Sequence, residues 1–330
     1  MIFKKHSNFY FLDIFRQALV VLRRDGFLVF IKYAYKYLIH GWKYFGDGIS
    51  AQEECQKRMK KNEKYIKNVL ALKISDIEGI EFRRYSKPEV SIIIPVFNKW
   101  QFTYKCLESL QRNTEDLEFE IIAVDNASSD ETEKLFENIK NIKYIKNNEN
   151  RGFAKACNQG AKESAADYLL FLNNDTVAKK RWLDPLVDEL NNNKNASIVG
   201  SKLLFPNDTI QHAGIGFAKN KIPFHLFYES AFDDPKTNTR RLFSAVTGAC
   251  LMIKKEDFFK VGGFDEQYKN GLEDVDLCLK IKELGKEIVY RPDSVLYHYE
   301  SISDERFSYL GKNVELFLEK WRNKIKIETE

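Results

Sequence analysis

At 330 residues, 44% of them apolar and including 25 Phe and 16 Tyr, the chain can bury a sizeable core, which excludes a mostly disordered protein. Its net charge of +4 hides an asymmetry: residues 1–50 carry eight Lys/Arg against three acids, a local +5, and the other 280 residues sum to −1. Any basic surface therefore belongs to the N-terminus, and no nucleic-acid partner is expected.

Residues 1–50 read as a basic, aromatic-rich helical region. Leu, Val, Phe and Tyr are frequent over residues 17–39, but Arg23-Arg24-Asp25, Lys32 and Lys36 interrupt them. A membrane span needs about 20 nearly uncharged residues. Such a region suits the surface of a membrane or the flank of the main domain, and both readings stay open. No secretory signal is expected, because no long apolar run and cleavage site follow the basic start. Residues 51–88 read as a helical connector, with Tyr65, Val69 and Leu72 spaced for one apolar helix face. From Glu89 short apolar runs alternate with helical stretches, the pattern of an α/β domain with a mostly parallel central sheet flanked by helices. Strands are expected at 90–95, 119–124, 141–146 and 168–172, and helices at 100–112, 130–139 and 152–164. This domain is expected to occupy 89–300, with a C-terminal helical segment over 301–330.

In open α/β sheets ligands bind beyond the carboxyl ends of the strands. The first strand runs into Pro95, Val96, Phe97 and Asn98, the second ends in Asp125 and Asn126, and the fourth ends in Asn173, Asn174 and Asp175. Each group alone is ordinary turn chemistry, and Ser128 with Glu131 has the spacing of a capping box. Together they put polar side chains on one edge. Neither GxGxxG nor GxxxxGK[ST] occurs, since Gly214-Ile215-Gly216 lacks a third glycine. A sheet enzyme that handles a nucleotide without those loops often holds the diphosphate through a divalent cation, for which Asp175 is a suitable oxygen ligand. The five cysteines show no zinc or disulfide spacing and read as buried thiols in a reducing cytoplasm.

Read in order, Ser91 to Asn98, Val124 to Asp130, Asn150-Arg151-Gly152-Phe153-Ala154 and Phe171 to Asp175 resemble family 2 glycosyltransferases of the bacterial surface-polysaccharide type. The likeness continues through Thr247-Gly248-Ala249-Cys250, Gly262 to Glu266 and Glu273-Asp274-Val275-Asp276-Leu277, and covers about residues 89–300. It implies the GT-A fold, preceded here by a helical N-terminal extension, and an inverting transfer. Pro95, Val96, Phe97, Asn98, Asp125, Asn126, Asn173 and Asn174 would then bind the nucleotide. A carboxylate at Asp125 can accept the N3–H of uracil or thymine. Arg151 would reach a phosphate, while Asn98 would equally well cap the next helix. Asn173-Asn174-Asp175 stands where the family has its DxD motif, with Asn in the first place. Asp175 is left as the carboxylate ligand of Mn2+ or Mg2+, joined by His298.

The resemblance makes Asp274 the general base and Glu273 its neighbour in the catalytic pair, although acids in a first helical turn also simply complement the macrodipole. Thr247, Gly248, Ala249 and Asp276 would line the sugar and acceptor side. The implied partners are a UDP- or dTDP-type sugar donor and a glycan or lipid-linked saccharide acceptor. The implied location is cytoplasmic, at the inner face of the cell membrane if residues 1–50 hold it there. Two other classes compete: a sugar nucleotidyltransferase, disfavoured because Pro95 to Asn98 is no Gly-rich phosphate loop, and a catalytically silent binding protein at a membrane surface.

Overall fold

The computed structural model describes residues 62–114, 117–300 and 309–325, so the basic region 1–50 and the start of the connector lie outside the described residues. The connector contributes α1 (Glu63–Leu70), a 3-10 turn (Ile74–Asp76) and β1 (Ile80–Glu81). α1 packs Ile66 and Val69 against Phe102, with Tyr299 beside them. Tyr65, expected on that face, is 44% exposed. Ile66 and Val69 lie three apart and form the stripe themselves, which turns Tyr65 outward.

The alternation from Val90 onward yields β2 (Val90–Val96), α2 (Trp100–Asn113), β3 (Phe119–Asp125), α3 (Thr132–Glu137), β4 (Ile139–Lys140) and β5 (Lys143–Lys146). It continues with α4 (Phe153–Lys162), β6 (Tyr168–Leu172), β7 (Thr176–Ala178) and α5 (Asp184–Asn192). Ile139, expected at a helix end, instead opens β4 and pairs with Ile80 of β1. After α5 come β8 (Ala196–Leu204), β9 (Ile210–His212), β10 (Ile215–Phe217), β11 (Pro223–His225) and β12 (Arg241–Leu242). The chain then forms β13 (Cys250–Lys254), α6 (Lys255–Lys260), α7 (Glu273–Glu283), β14 (Glu287–His298) and α8 (Leu310–Trp321).

Among the described residues the main sheet runs β12-β14-β8-β13-β6-β2-β3-β5. β6, β2, β3 and β5 are parallel, as the spacing of their apolar runs implies. β13 enters antiparallel between β6 and β8, and β14 returns parallel to β8. The sheet is therefore mixed in its second half. Strands β6 and β8 are buried almost throughout, because helices cover both faces and unbroken apolar runs satisfy both. One core layer joins the sheet to α2 and α5 through Leu107, Leu110 and Leu186. The other joins it to α4, α6, α7 and α8 through Cys157, Phe258, Leu277 and Phe317. α4 lies so close that a Cβ at Gly160 would come within 2.5 Å of Ile93.

Two features fix the periphery. Glu189 of α5 is buried and accepts bonds from Arg240 Nε (2.8 Å) and Arg291 Nη1 (3.3 Å), and the Arg240 bond holds its carboxyl down at about 2. Cys106, Cys157, Cys250 and Cys278 are buried free thiols, and burial pushes the Cys106 thiol up to about 12, which leaves it no nucleophilic thiolate. No helix among the described residues is long and apolar enough to cross a membrane.

Candidate active site

The ends of β2 and β3 are tied to each other before they meet any ligand. Asn98 N donates to Ser128 Oγ (2.7 Å), and Asn98 Oδ1 accepts from Ser129 N (2.8 Å). Asn98 does not cap α2: the Trp100 N–H goes instead to Asp130 Oδ2 at 3.2 Å. The Ser128–Glu131 capping box does not form either, since Asp130 Oδ1 takes Thr132 N (3.1 Å) and Ser128 is committed to Asn98. Asp125 is fully buried, with Oδ1 accepting from Ser128 N (2.8 Å) and Oδ2 from Tyr144 Oη (2.7 Å). Burial first, then that bond, raises the Tyr144 hydroxyl, which keeps it a donor. Asn126 is buried as well, bonded to Gly152 O (3.2 Å) and Asn147 Nδ2 (3.1 Å). Asp125 and Asn126 thus brace the loop and are not open to a base in this conformation. The side chains free at this edge are Phe97, 41% exposed, and Arg151, which is exposed and makes no hydrogen bond or ion pair with the described residues.

The end of β6 divides its polar residues. Asn174 Nδ2 donates to Thr103 Oγ1 (2.9 Å), so Asn174 is anchored on α2 and not directed at a nucleotide. Asn173 Nδ2 lies 3.2 Å from His298 Nε2, and Asp175 Oδ1 lies 3.0 Å from the same nitrogen. Asp175 and His298 are brought together across 123 positions because β14 pairs with β7, placing His298 opposite Thr176. The pair fits a divalent cation. Two ligands at about 2.1 Å from an octahedral ion and at right angles are separated by about 3.0 Å. Among the described residues no cluster of three or more His, Cys, Asp or Glu is suited to a metal, so phosphate and water oxygens would complete the shell. Gln211, to which sequence reasoning gave no role, approaches the other ring nitrogen of His298, with Oε1 2.8 Å from Nδ1.

The third group gathers at the start of α7. Asp274 Oδ2 accepts from Gly248 N at 2.7 Å, and Oδ1 from Val275 N at 2.8 Å. Leu272 takes φ +73° before the helix. Glu273 is buried and accepts from Gly271 N at 2.7 Å, which shapes that turn. A Cβ on Gly248 would lie 3.1 Å from the Asp274 Cβ, so any side chain there would have to push that contact apart by a few tenths of an ångström. On the flanks of Gly248, Thr247 N donates to His212 Nε2 (3.4 Å) and Ala249 O accepts from Asn173 N (3.0 Å). One tripeptide therefore links the Asp274 side to the Asp175–His298 side. His212 is fully buried, and burial, then His225 and His298, push its pKa well below the ordinary range, so it acts as a neutral acceptor. The expected acceptor role of Asp276 is not met. Its carboxylate is fully buried and faces α8, taking Trp321 Nε1 (2.9 Å) and Lys320 Nζ (3.2 Å), with Lys280 Nζ 2.9 Å away. An α-helix turns 100° per residue, which points Asp276 away from the side that Asp274 faces.

The family model described as glycosyl transferase family 2 matches residues 91–258, about half of the chain. The chain belongs to glycosyltransferase family 2. A second model, described as N-terminal domain of galactosyltransferase, matches residues 231–304, the stretch that holds Asp274 and His298. This family 2 chain is 35% identical over 227 residues to the O-antigen biosynthesis protein RfbC of Myxococcus xanthus, covering 66% of this chain but only 18% of that relative. It is 26% identical to the rhamnosyltransferase WbbL of Escherichia coli, covering 66% of this chain and 86% of the relative. The structure of GalNAc-T7 with UDP, GalNAc and Mn2+ superposes with a TM-score of 0.55 at 16% identity, over 72% of this chain and 49% of that one. At that identity the likeness shows the fold, which is GT-A.

Proposed function

We propose that the protein transfers a sugar from a UDP- or dTDP-type donor to a glycan or lipid-linked acceptor hydroxyl, with inversion at the anomeric carbon. The observation that carries this reading is the Thr247-Gly248-Ala249 bridge, which is hydrogen-bonded to the Asp274 carboxylate through Gly248 and to Asn173, the neighbour of His298, through Ala249. Phe97 would stack on the base and Arg151 would fork onto a phosphate, since both stand exposed at the sheet edge. Asp175 and His298 would hold Mn2+ or Mg2+, which when bound neutralises charge developing on the leaving diphosphate. GalNAc-T7, which shares the fold and holds Mn2+ and UDP in its structure, supports the use of a divalent cation.

Asp274 carries the proton step in this reading. It is half-buried at a helix N-terminus, and two backbone N–H bonds orient its carboxylate. That geometry places the carboxylate to take the proton of an attacking hydroxyl. Glu273 keeps the preceding turn in shape. The decisive assay incubates the protein with a panel of nucleotide sugars and Mn2+ or Mg2+. Release of nucleoside diphosphate supports transfer, pyrophosphate would instead identify a nucleotidyltransferase, and release of neither a silent binding protein. Asp274→Asn is expected to abolish transfer while donor binding persists; loss of binding would make Asp274 a structural residue. The O-antigen relative suggests a growing surface glycan on a lipid carrier as acceptor, and residues 1–50 would keep the enzyme at the inner membrane face. Removing them should shift the protein to the soluble fraction, and persistent membrane binding would refute that part.

A further inference from the structure

Gln211 lies on β9, is 3% exposed, and sets its amide oxygen 2.8 Å from His298 Nδ1. An amide oxygen only accepts, so the ring proton of a neutral imidazole must sit on Nδ1. The Nε2 lone pair is then directed at Asp175 Oδ1, 3.0 Å away, and takes the Asn173 amide N–H at 3.2 Å. Two lone-pair donors facing each other at that distance repel unless a positive charge joins them. With the proton on Nε2 instead, His298 would donate it straight to Asp175. The two side chains would satisfy each other and compete with a cation.

We propose that Gln211 is a positioning residue for the cation half-site, fixing His298 in the tautomer that presents Nε2 toward Asp175. The proposal rests on the reading that Asp175 and His298 hold the cation. The backbone around Gln211 suits the task, because β9 is anchored on both sides of it. Ile210 and His212 pair with Leu204 and Leu203 of β8, and the His212 ring accepts the Gly214 N–H (3.3 Å) and the Thr247 N–H (3.4 Å). The Gln211 side chain is thus delivered from a fixed strand rather than a loop. Partners that orient a metal-bound histidine are worth about 10–100-fold in metal affinity.

The test measures Mn2+ binding to the full chain by electron paramagnetic resonance for wild type, Gln211→Met and Gln211→Glu. Gln211→Met keeps the volume but removes the acceptor, and should weaken Mn2+ by about 10–100-fold while kcat at saturating Mn2+ changes far less. Gln211→Glu still accepts the Nδ1 proton and should stay within a few-fold of wild type. Equal Mn2+ affinity for wild type and Gln211→Met overturns the proposal. Should Gln211→Met fail to fold, nitrogen-15 spectra of the wild-type imidazoles decide it alone, with a His298 proton on Nδ1 expected and one on Nε2 fatal to the idea. A wild-type protein that binds no Mn2+ refutes the cation reading instead, and the imidazole spectra still report on Gln211 separately.

Discussion

Gly248 is the residue at which backbone and chemistry are least separable. Its N–H holds one oxygen of Asp274 at 2.7 Å, and its missing side chain leaves 3.1 Å between a would-be Cβ and the Asp274 Cβ. Gly248→Ala forces that carboxylate or the tripeptide to give by a few tenths of an ångström. A misplacement of about 1 Å can cost about 100-fold in rate, so a loss of roughly tenfold in kcat is expected, with Tm lowered by a few degrees at most. Steady-state kinetics with a melting curve check it; an unchanged kcat would mean the close approach has no bearing on Asp274. Residues of this kind are unevenly legible in sequence. Asp274 and Asp175 stand in recognisable strings, and His298 takes its meaning from its place after them. Gln211 and His212 are ordinary letters in a short strand, and their partners lie 87 and 35 positions away. Nothing local marks them. Asp125 shows the opposite error: its string is recognisable, but its burial between Ser128 and Tyr144 appears only when β3 and β5 are paired.

Single elements are held by a few buried charges. Asp276 docks α8 through Trp321 and Lys320, and Lys320 also pairs with Asp265. Asp276→Asn removes the Asp276 carboxylate from Lys280 and leaves Lys320 only Asp265. Because both lysines are partly exposed, the cost stays below the roughly 3–5 kcal/mol of a fully buried pair. Hydrogen exchange in α8 is expected to accelerate well before that of β2 and β3, and uniform acceleration would show α8 not to be docked by this residue. Glu189 does the same for α5 against Arg240 and Arg291, with its carboxyl held at about 2. Because the folded-state pKa is depressed, the unfolded chain takes the proton first. The contribution is full above the ordinary glutamate range near 4.5 and is lost as pH falls toward about 2. Urea unfolding from pH 6 to pH 3 should show a steeper loss for wild type than for Glu189→Gln, and parallel curves would count against the pairing. The parallel elements were legible because each strand announces itself by an apolar run and each helix follows its strand. The insertion of β13 was not, because adjacency to β6 and β8 joins segments about 80 and 50 positions apart.

At the scale of the molecule, the groups of the site come from distant parts of the chain, so their occupation should stabilise the whole fold. The turn between β6 and β7 supplies Asn173 and Asp175, β14 supplies His298, and α7 supplies Asp274 from across the Gly248 bridge. A ligand that binds only the folded chain adds about 2.7 kcal/mol at 100 times its Kd. For a domain of this size each kcal/mol raises Tm by about 2–4 °C. UDP with Mn2+, each well above its Kd, is therefore expected to raise Tm by about 5–10 °C, and UDP with a chelator by much less. Mn2+ should outperform Mg2+, since an imidazole nitrogen suits a transition metal better than a hard cation that demands oxygen. Asp175→Ala should remove the metal-dependent part of the shift and leave the nucleotide-dependent part, because Phe97 and Arg151 follow β2 and β5 and not the β6–β7 turn that carries Asp175. A shift of the same size in the presence of chelator would detach the cation from the diphosphate and leave Asp175 and His298 as a structural pair.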